Sequence, residues 1–228
     1  MKRFCRFLSL VVVLLGCIPL VHAQAGFDIA VGFGAIQDSA SKTQIDQALQ
    51  ACTPNDPYGP CVSTGSLNAF GMGVKGDLML WKHFGLGADA VFQPAKKDYV
   101  NLNASAAAQG LSTYSLQTRM TLYDFNGILQ PIKTKKAGLR ITGGIGGANL
   151  KFYQTGSASS FIGTQNFSQY IQSSNHFQVH GGVGVQLYLT EHVFIRPEFN
   201  VYYVHNLTEF GHNLVTQELV YIGYTLGQ

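Results

Sequence analysis

The sequence is poor in charged residues and has no long apolar run beyond its first 23 residues. Asp, Glu, Lys and Arg make up 12% of its 228 residues, about half the usual share in a soluble domain. This is too little charge to cover a water-facing exterior. No later segment approaches the ~20 apolar residues that a membrane-spanning helix requires. Both an ordinary soluble domain and a helical membrane domain are therefore disfavoured.

Cysteine is scarce as well. Two of the four cysteines lie in the first 23 residues, which leaves Cys52 and Cys61 in the loop sequence CTPNDPYGPC. A redox or metal site is disfavoured, because there is no C-x-x-C motif and no histidine nearby. In an exported chain, two cysteines that bracket a short loop predict a disulfide between Cys52 and Cys61.

The N-terminus has the pattern of a secretory signal peptide. Three basic residues lie within the first six, residues 7–15 are apolar, and Val21-His22-Ala23 forms a small-residue cleavage site. We therefore predict a signal peptide over residues 1–23 and one domain over residues 24–228.

Two alternatives to cleavage after Ala23 stay open. An uncleaved membrane anchor is disfavoured because the apolar run is short and contains Gly16 and Pro19. A lipoprotein signal would leave a lipidated Cys17, but the chain stays apolar after this cysteine, where a lipoprotein would usually become polar.

Removal of the signal peptide changes the charge balance. Its three basic residues, taken from 15 Lys and Arg, leave 12, which matches the 12 Asp and Glu. A formally neutral domain implies no nucleic-acid partner.

Beyond residue 23, apolar and polar residues alternate with a period of two, which is typical of strands with one apolar face. Residues 176–205 show this most clearly, as two such strands joined by the tight turn Thr190-Glu191-His192. The alternation predicts eight strands, at residues 26–36, 67–80, 84–92, 115–130, 139–152, 176–189, 193–205 and 214–226.

Two of these strands are irregular. In the fourth, Tyr123 and Phe125 lie on one face, but Met120 and Leu122 lie on the other. Two explanations stay open: a β-bulge in the strand, or a change of surroundings at the rim of the barrel. In the fifth, apolar residues move to even positions beyond Gly147, which predicts a β-bulge near Gly146-Gly147.

Long and short connections alternate along the chain. Antiparallel transmembrane barrels have short periplasmic turns and long outer loops, so both ends of the domain are expected on the periplasmic side. The long connections span residues 37–66, 93–114, 154–175 and 206–213, and the short ones residues 81–83, 131–138 and 190–192.

A soluble barrel, such as a lipocalin, would direct its apolar face inward and its charges outward. Here the polar faces carry glycine and few charges, whereas the apolar faces carry large aliphatic and aromatic side chains. Aromatic residues lie near the predicted strand ends, where membrane girdles form: Trp81, Phe84, Tyr123, Phe125, Tyr203 and Tyr224. We predict an all-β, eight-stranded antiparallel up-and-down transmembrane barrel.

The signal peptide, the eight amphipathic strands and the ending VYIGYTLGQ resemble the small outer-membrane β-barrel family of the OmpA-type transmembrane domain and OmpX. The resemblance implies an outer-membrane location, contact with lipid, assembly by the barrel-assembly machinery and no cofactor. Two departures stand out. Leu226-Gly227-Gln228 replaces the usual terminal aromatic residue, and no peptidoglycan-binding domain is expected.

Charged side chains on the inward faces are predicted to form a network. Buried charges must be paired, and side chains fill the lumen of an eight-stranded barrel. We interpret the set as a neutral plug, with a gate whose pairs exchange partners as the alternative. The set holds three positive and three negative residues: Lys75, Asp77, Asp89, Arg140, Arg196 and Glu198.

No catalytic residue or metal ligand is predicted. Lipid A deacylases carry a His-x-Ser arrangement on a strand, and His180 has no serine two residues on. We interpret His180 as a hydrogen-bonding residue of the lumen. His205, Glu209 and His212 have metal-ligand chemistry, but their position in a loop favours a solvated cluster.

We therefore expect a structural or surface-interaction role through four outer loops, with an unknown surface ligand. A minor porin or gated channel is the main alternative. A lipid-modifying enzyme is a more distant one.

Overall fold

The computed structural model describes residues 26–41, 62–63, 66–101, 113–160 and 163–227. The predicted signal peptide and the Cys52–Cys61 disulfide lie outside these residues and stay predictions. Across the described ranges, no helix is long and apolar enough to cross a membrane. The strands are β1 (Gly26–Gln37), β2 (Val62–Ser63), β3 (Ala69–Met79), β4 (Phe84–Phe92), β5 (Lys97–Asn101), β6 (Thr113–Lys133), β7 (Ala137–Ser160), β8 (Gly163–Tyr188), β9 (Val193–Val204) and β10 (Leu214–Leu226).

Eight of these strands close into an antiparallel ring. The order β6-β4-β3-β1-β10-β9-β8-β7 returns to β6 through the β6–β7 pairing. The first and last strands are paired from Phe27↔Leu226 to Gln37↔Thr216. The two short strands lie outside the ring, where β5 pairs with β6 and β2 pairs with β5. The predicted eight-stranded barrel is confirmed.

Alternating side chains point into the barrel and away from it, and the apolar ones face outward. In β8, Phe177 is 57% exposed, whereas the neighbouring Gln178 is fully buried. In β9, Phe199 is 42% exposed, whereas Arg196 is fully buried. An exterior of large apolar side chains is stable against lipid and not against water. The barrel is therefore built to stand in a membrane.

Three tight turns lie at the same end of the barrel as Gly26 and Leu226. Backbone hydrogen bonds close each turn: Leu80 N to Phe84 O at 3.0 Å, Thr134 N to Ala137 O at 2.8 Å, and Leu189 N to Val193 O at 2.8 Å. The turn after β6 is shorter than predicted because β6 continues to Lys133. The β6–β7 register shifts between Leu129 and Ile132, around Pro131, which has no N–H for the ladder.

The third long connection was predicted as a loop over residues 154–175, and this is wrong. β7 and β8 continue through it as a paired ribbon, from Tyr153↔Tyr170 to Ser160↔Gly163. Ser, Thr, Gln and Asn dominate this stretch, so the period-two apolar signal is absent. Both faces of a sheet that leaves the membrane meet water, and neither face requires apolar residues.

The predicted bulge near Gly146-Gly147 is also wrong. Pairing of β7 with β6 and β8 is regular across both glycines. Met120, Leu122 and Leu150 lie at even positions because they point into the barrel, where each is at most 1% exposed. The change of pattern marks a change in the contents of the lumen, from charged to apolar.

Candidate functional site

The lower lumen, toward the short turns, holds two arginines that pair with carboxylates from β1, β3 and β9. Arg140 of β7 reaches across the barrel, placing Nη1 2.7 Å from Asp77 Oδ2 and Nη2 against Asp28 Oδ2. Arg196 of β9 places Nη1 2.9 Å from the same Asp77 oxygen and Nε 2.7 Å from Glu198 Oε1. All five side chains are buried. Asp77 is therefore shared by both guanidinium groups.

Lys75 continues this network toward the middle of the barrel. Its Nζ donates to Glu198 Oε2 at 2.6 Å and lies 3.4 Å from Asp89 Oδ2. Asn126 Nδ2 donates to the same Asp89 oxygen at 2.8 Å. The network thus runs unbroken from β1 and β7 to β4 and β6.

Asp124 stands beside this network. It is the register partner of Asp89 across β4 and β6. Gln178 Nε2 donates to Asp124 Oδ1 at 2.6 Å, and His180 Nδ1 lies 3.3 Å from that oxygen. The His180 ring packs against Tyr202, with centroids 4.9 Å apart.

The structure places all six predicted charged residues in the lumen and brings them into contact, but the predicted charge balance is wrong. Asp28 and Asp124 are also buried, so three cations face five carboxylates. Asp124 was missed because the inward face of its strand was undecided. Asp28 lies on the polar face of β1 and is missing from the predicted set, because nothing local in the sequence indicates that Arg140 reaches it from across the barrel.

Above the charges, apolar side chains fill the lumen. Tyr221 lies over glycines, so that a Cβ on Gly32 would be 2.6 Å from its ring and a Cβ on Gly73 2.9 Å from its hydroxyl. The two small residues make room for one large one. The other members of this layer are at most 2% exposed: Ile36, Val91, Met120, Leu122, Leu150, Tyr202 and Leu219.

The outer end of the lumen is covered by connections between strands. Leu67 N donates to Asp38 O at 2.8 Å, and Gly211 N donates to Ser39 O at 2.6 Å. Ala40 pairs with Phe210 in an isolated bridge. These contacts hold a cap of buried residues over the apolar layer: Ala40, Leu67, Tyr99, Val100, Leu207 and Phe210.

The cap includes the carboxyl group of Asp38, which is buried. Burial raises the pKa of Asp38 to about 7, opposed by the hydrogen bond from Ser39 N, which favours the charged form. His212 Nδ1 lies 3.7 Å from Asp38 Oδ1. The cap therefore contains a carboxyl group that changes charge near neutral pH.

The candidate metal residues do not meet at one point. His212 lies beside Asp38, whereas Glu209 Oε2 lies 3.7 Å from Nε2 of His176. The carbonyl of His205 is 3.1 Å from His176 Nδ1. Their position in one loop suggested a cluster, but His212 contacts Asp38, whereas the Glu209 side chain and the His205 carbonyl contact His176.

The outer halves of β6, β7 and β8 form a sheet that rises beyond the ring. We call it the raised sheet, defined by residues 113–119, 151–160 and 163–175. Over the described chain, residues 164–175 of β8 pair with β7 on one side, interrupted by a bulge at Ile171, and with no strand on the other, since pairing with β9 begins at Gln178↔Val204. We call residues 164–175 the β8 edge. Nearly all of it is exposed.

Aromatic and apolar side chains stand on this sheet. Phe167 is 36% exposed, Tyr170 51% and Ile171 46%. The rings of Tyr153 and Tyr170 meet edge to face at 6.0 Å, and Lys96 Nζ lies 4.1 Å from the centre of the Tyr153 ring. The raised sheet thus offers both backbone hydrogen-bonding groups and side-chain surface.

No protein-family model matches the sequence, and no curated protein matches it. Solved structures do match. Ail, the attachment invasion locus protein of Yersinia pestis, solved in complex with the heparin analogue sucrose octasulfate, aligns with a TM-score of 0.51 at 12% identity, covering 89% of this chain and 99% of Ail. A major outer membrane protein from Thermus thermophilus aligns with the same TM-score, identity and coverage. These similarities show that the chain has the fold of small outer-membrane β-barrels.

Proposed function

We propose that this chain is a surface-interaction protein of the outer membrane, whose barrel holds the raised sheet outside the cell to bind an extended segment of a protein partner. The observation that carries the proposal is the β8 edge, which in the described part of the chain is paired on one side only. The proposal includes insertion by the barrel-assembly machinery and a surrounding belt of lipid.

An unpaired strand edge is a template for another strand, and natural proteins usually protect it with lysine, proline or a bulge. Residues 164–175 contain no charged residue and no proline, and their one protection of this kind is the β-bulge at Ile171. At ~3.4 Å per residue, these residues offer an edge about 40 Å long. An added strand would be held by main-chain hydrogen bonds and selected by pockets for its alternate side chains.

The exposed side chains supply such selection. Phe167 and Ile171 are both exposed along this edge, and Ile171 is the extra residue of the β-bulge between Tyr170 and Gln172. A partner strand with apolar residues at matching positions would bury both side chains. We therefore expect a preference for extended segments that alternate apolar and polar residues.

The contents of the lumen argue against the porin and gated-channel alternatives. Even if the ion pairs exchanged partners, an ion would still meet the apolar layer that includes Met120, Leu122 and Tyr221, each at most 1% exposed. Opening a path would require displacement of packed side chains along with the cap. A closed barrel is adequate as an anchor.

We also propose that the chain is not an enzyme, although the fold itself accommodates enzymes and other proteins alike. His180 is buried against Asp124 and Tyr202 inside the barrel. A lipid or surface substrate does not reach this position.

Peptide selection tests the proposal. Random peptides displayed on phage are selected on the protein in nanodiscs, and the selected peptides are measured against a variant with lysines on the edge, Gln165→Lys/Gln169→Lys. Each lysine places a charge where the incoming strand must dock. We expect the selected peptides to alternate apolar and polar residues. Their affinity for the edge variant should be about tenfold or more below their affinity for the wild type.

The matched control is Thr155→Lys/Ser157→Lys. It adds the same charge to β7, whose two residues are already paired with β6 and β8. The control should bind the selected peptides like the wild type. Equal binding to the edge variant, or failure to select any peptide, would overturn the proposal.

A further inference from the structure

A groove lies on the lipid-facing surface of β4, β6 and β7, toward the short turns. Its volume is about 570 Å³. Its floor includes the register partners Gly127 and Gly143. Its walls are large apolar side chains, among them Leu80, Trp81, Phe84, Leu86, Leu129 and Ile141.

Packing within the barrel does not require the two floor glycines. A Cβ on Gly127 would come no closer than 3.7 Å to another atom, and a Cβ on Gly143 no closer than 3.8 Å. Gly146 is a contrast, because a Cβ there would lie 1.9 Å from the Tyr123 carbonyl oxygen. Glycine weakens a strand, and both positions have room for a larger side chain. The two glycines therefore serve to keep space open on the outer surface of the barrel.

The two turns below the groove are basic. The first turn carries Lys82, and the second carries Lys133, Lys135 and Lys136. None of these four lysines is buried. Neither turn contains an acidic residue, whereas the third short turn contains Glu191 and no lysine. Positive charge is therefore concentrated on the side of the rim that carries the groove.

Hydrogen bonds hold the two basic turns side by side. Gln130 N donates to His83 O at 2.8 Å, and His83 Nδ1 lies 2.8 Å from Gln130 O. These contacts join the first turn to the end of β6, three residues before Lys133. The two turns thus present their lysines as one surface.

We propose that this face binds one anionic phospholipid of the periplasmic leaflet. Lysines of the two turns contact the phosphate headgroup, and one acyl chain lies in the groove over Gly127 and Gly143. Trp81 and Phe84, which are 64% and 56% exposed, stand between the charged turns and the apolar groove. This is the depth at which aromatic side chains meet the headgroup region.

The positive charge of the two turns favours an anionic lipid over a second copy of the chain as the occupant of the groove. A symmetric dimer through the groove would bring the same basic turns close together, and like charges would repel. An anionic headgroup neutralises them instead, as basic clusters at a membrane surface do.

Lipid retention measured by native mass spectrometry tests the proposal. The protein is reconstituted with equal amounts of phosphatidylcholine and phosphatidylglycerol, extracted into detergent, and the lipids that remain bound are counted. We expect one phosphatidylglycerol per barrel. Filling the groove with Gly127→Val/Gly143→Val should reduce its retention about tenfold or more, because the acyl chain loses its place.

Two control variants accompany this measurement. Gly76→Val adds the same side chain to an outward-facing glycine of β3 outside the groove, where a Cβ would come no closer than 3.7 Å to Phe27, and should retain the lipid. Replacement of all four turn lysines by glutamine should lose it, whereas Lys96→Gln/Lys97→Gln/Lys151→Gln, at the other end of the barrel, should not. The gel shift between heated and unheated samples shows that each variant is folded.

Three results would overturn the proposal. Equal retention of the two lipids would show that the headgroup is not selected. Retention unaffected by the groove variant would reduce the binding to nonspecific attraction at the rim. A dimer captured by a photocrosslinker at Phe84 would make a second copy the occupant.

Discussion

Arg196 is fully buried, and its guanidinium lies 2.9 Å from Asp77 and 2.7 Å from Glu198. Its replacement by methionine keeps most of the volume and removes the charge. Removal of one partner from a buried ion pair costs about 3–5 kcal/mol, because the other charge stays buried without compensation. Here the loss adds to an existing excess of carboxylates. We therefore expect Arg196→Met to destabilise the barrel by at least about 3 kcal/mol.

The same excess predicts the opposite behaviour for Asp124. Its carboxylate contacts Gln178 and His180 and stands opposite Asp89. Asparagine keeps an oxygen that accepts from Gln178 and removes one of the five negative charges. We expect Asp124→Asn to change the free energy of unfolding by less than about 1 kcal/mol, or to raise it.

A second substitution tests the electrostatic cause. Asp77 is the carboxylate shared by Arg140 and Arg196. Addition of Asp77→Asn to Arg196→Met should recover part of the lost stability, since it removes a carboxylate that has lost one of its two arginine partners. Neighbouring residues in one network typically show coupling of about 0.5–3 kcal/mol.

Urea unfolding in lipid vesicles measures these differences. Trp81 is the single tryptophan and lies on the outer surface near the short turns, so its fluorescence reports loss of the lipid environment. The gel shift between heated and unheated samples provides an independent measure of the folded fraction. A cost below about 1 kcal/mol for Arg196→Met, or an equal cost for Asp124→Asn, would refute the reasoning.

Three further predictions concern separate parts of the barrel. Gly146→Ala should prevent folding, judged by the gel shift, because its Cβ would lie 1.9 Å from the Tyr123 carbonyl oxygen; normal folding would contradict the register of β6 and β7. The pKa of Asp38 rises from 3.8 to about 7 on folding, so the cap should be most stable at low pH and weaken as pH rises from about 4 to about 7. Hydrogen exchange of the Leu67 amide, corrected for its intrinsic rate, should be faster at pH 8 than at pH 5, and Asp38→Asn should remove the difference. Leu122→Ala should cost about 2–5 kcal/mol in urea unfolding, and unchanged stability would contradict a packed upper lumen.

The period-two pattern predicted strands well wherever the two faces meet different surroundings. Lipid outside and packed side chains inside require opposite chemistry on successive residues, and β10 was predicted at its observed bounds, Leu214–Leu226. Prediction failed where the two faces are alike. Residues 154–159 and 163–175 meet water on both faces, so the polar strands there had the composition of a loop.

Two other failures arose inside the lumen. Met120 and Leu122 suggested a disturbed strand because the inward face was assumed to be polar at every height. In the structure, that face changes from charged to apolar while the pairing stays regular. Which residues belong to the charge network depends on contacts across the barrel, such as that of Arg140 with Asp28. These contacts join residues far apart in the sequence, so no local pattern predicts them.

The pairing of β1 with β10 affects both how fast the barrel assembles and how long it stays folded. Its eleven residue pairs join segments nearly 200 residues apart, which makes them among the most nonlocal contacts that this chain can form. Folding that depends on such contacts is slow, and ring closure must wait until the final strand has been synthesised and delivered. Once the ring is closed, no strand has a free edge within the membrane from which the barrel could open gradually. The β1–β10 pairing that delays assembly should therefore also slow unfolding of the finished barrel.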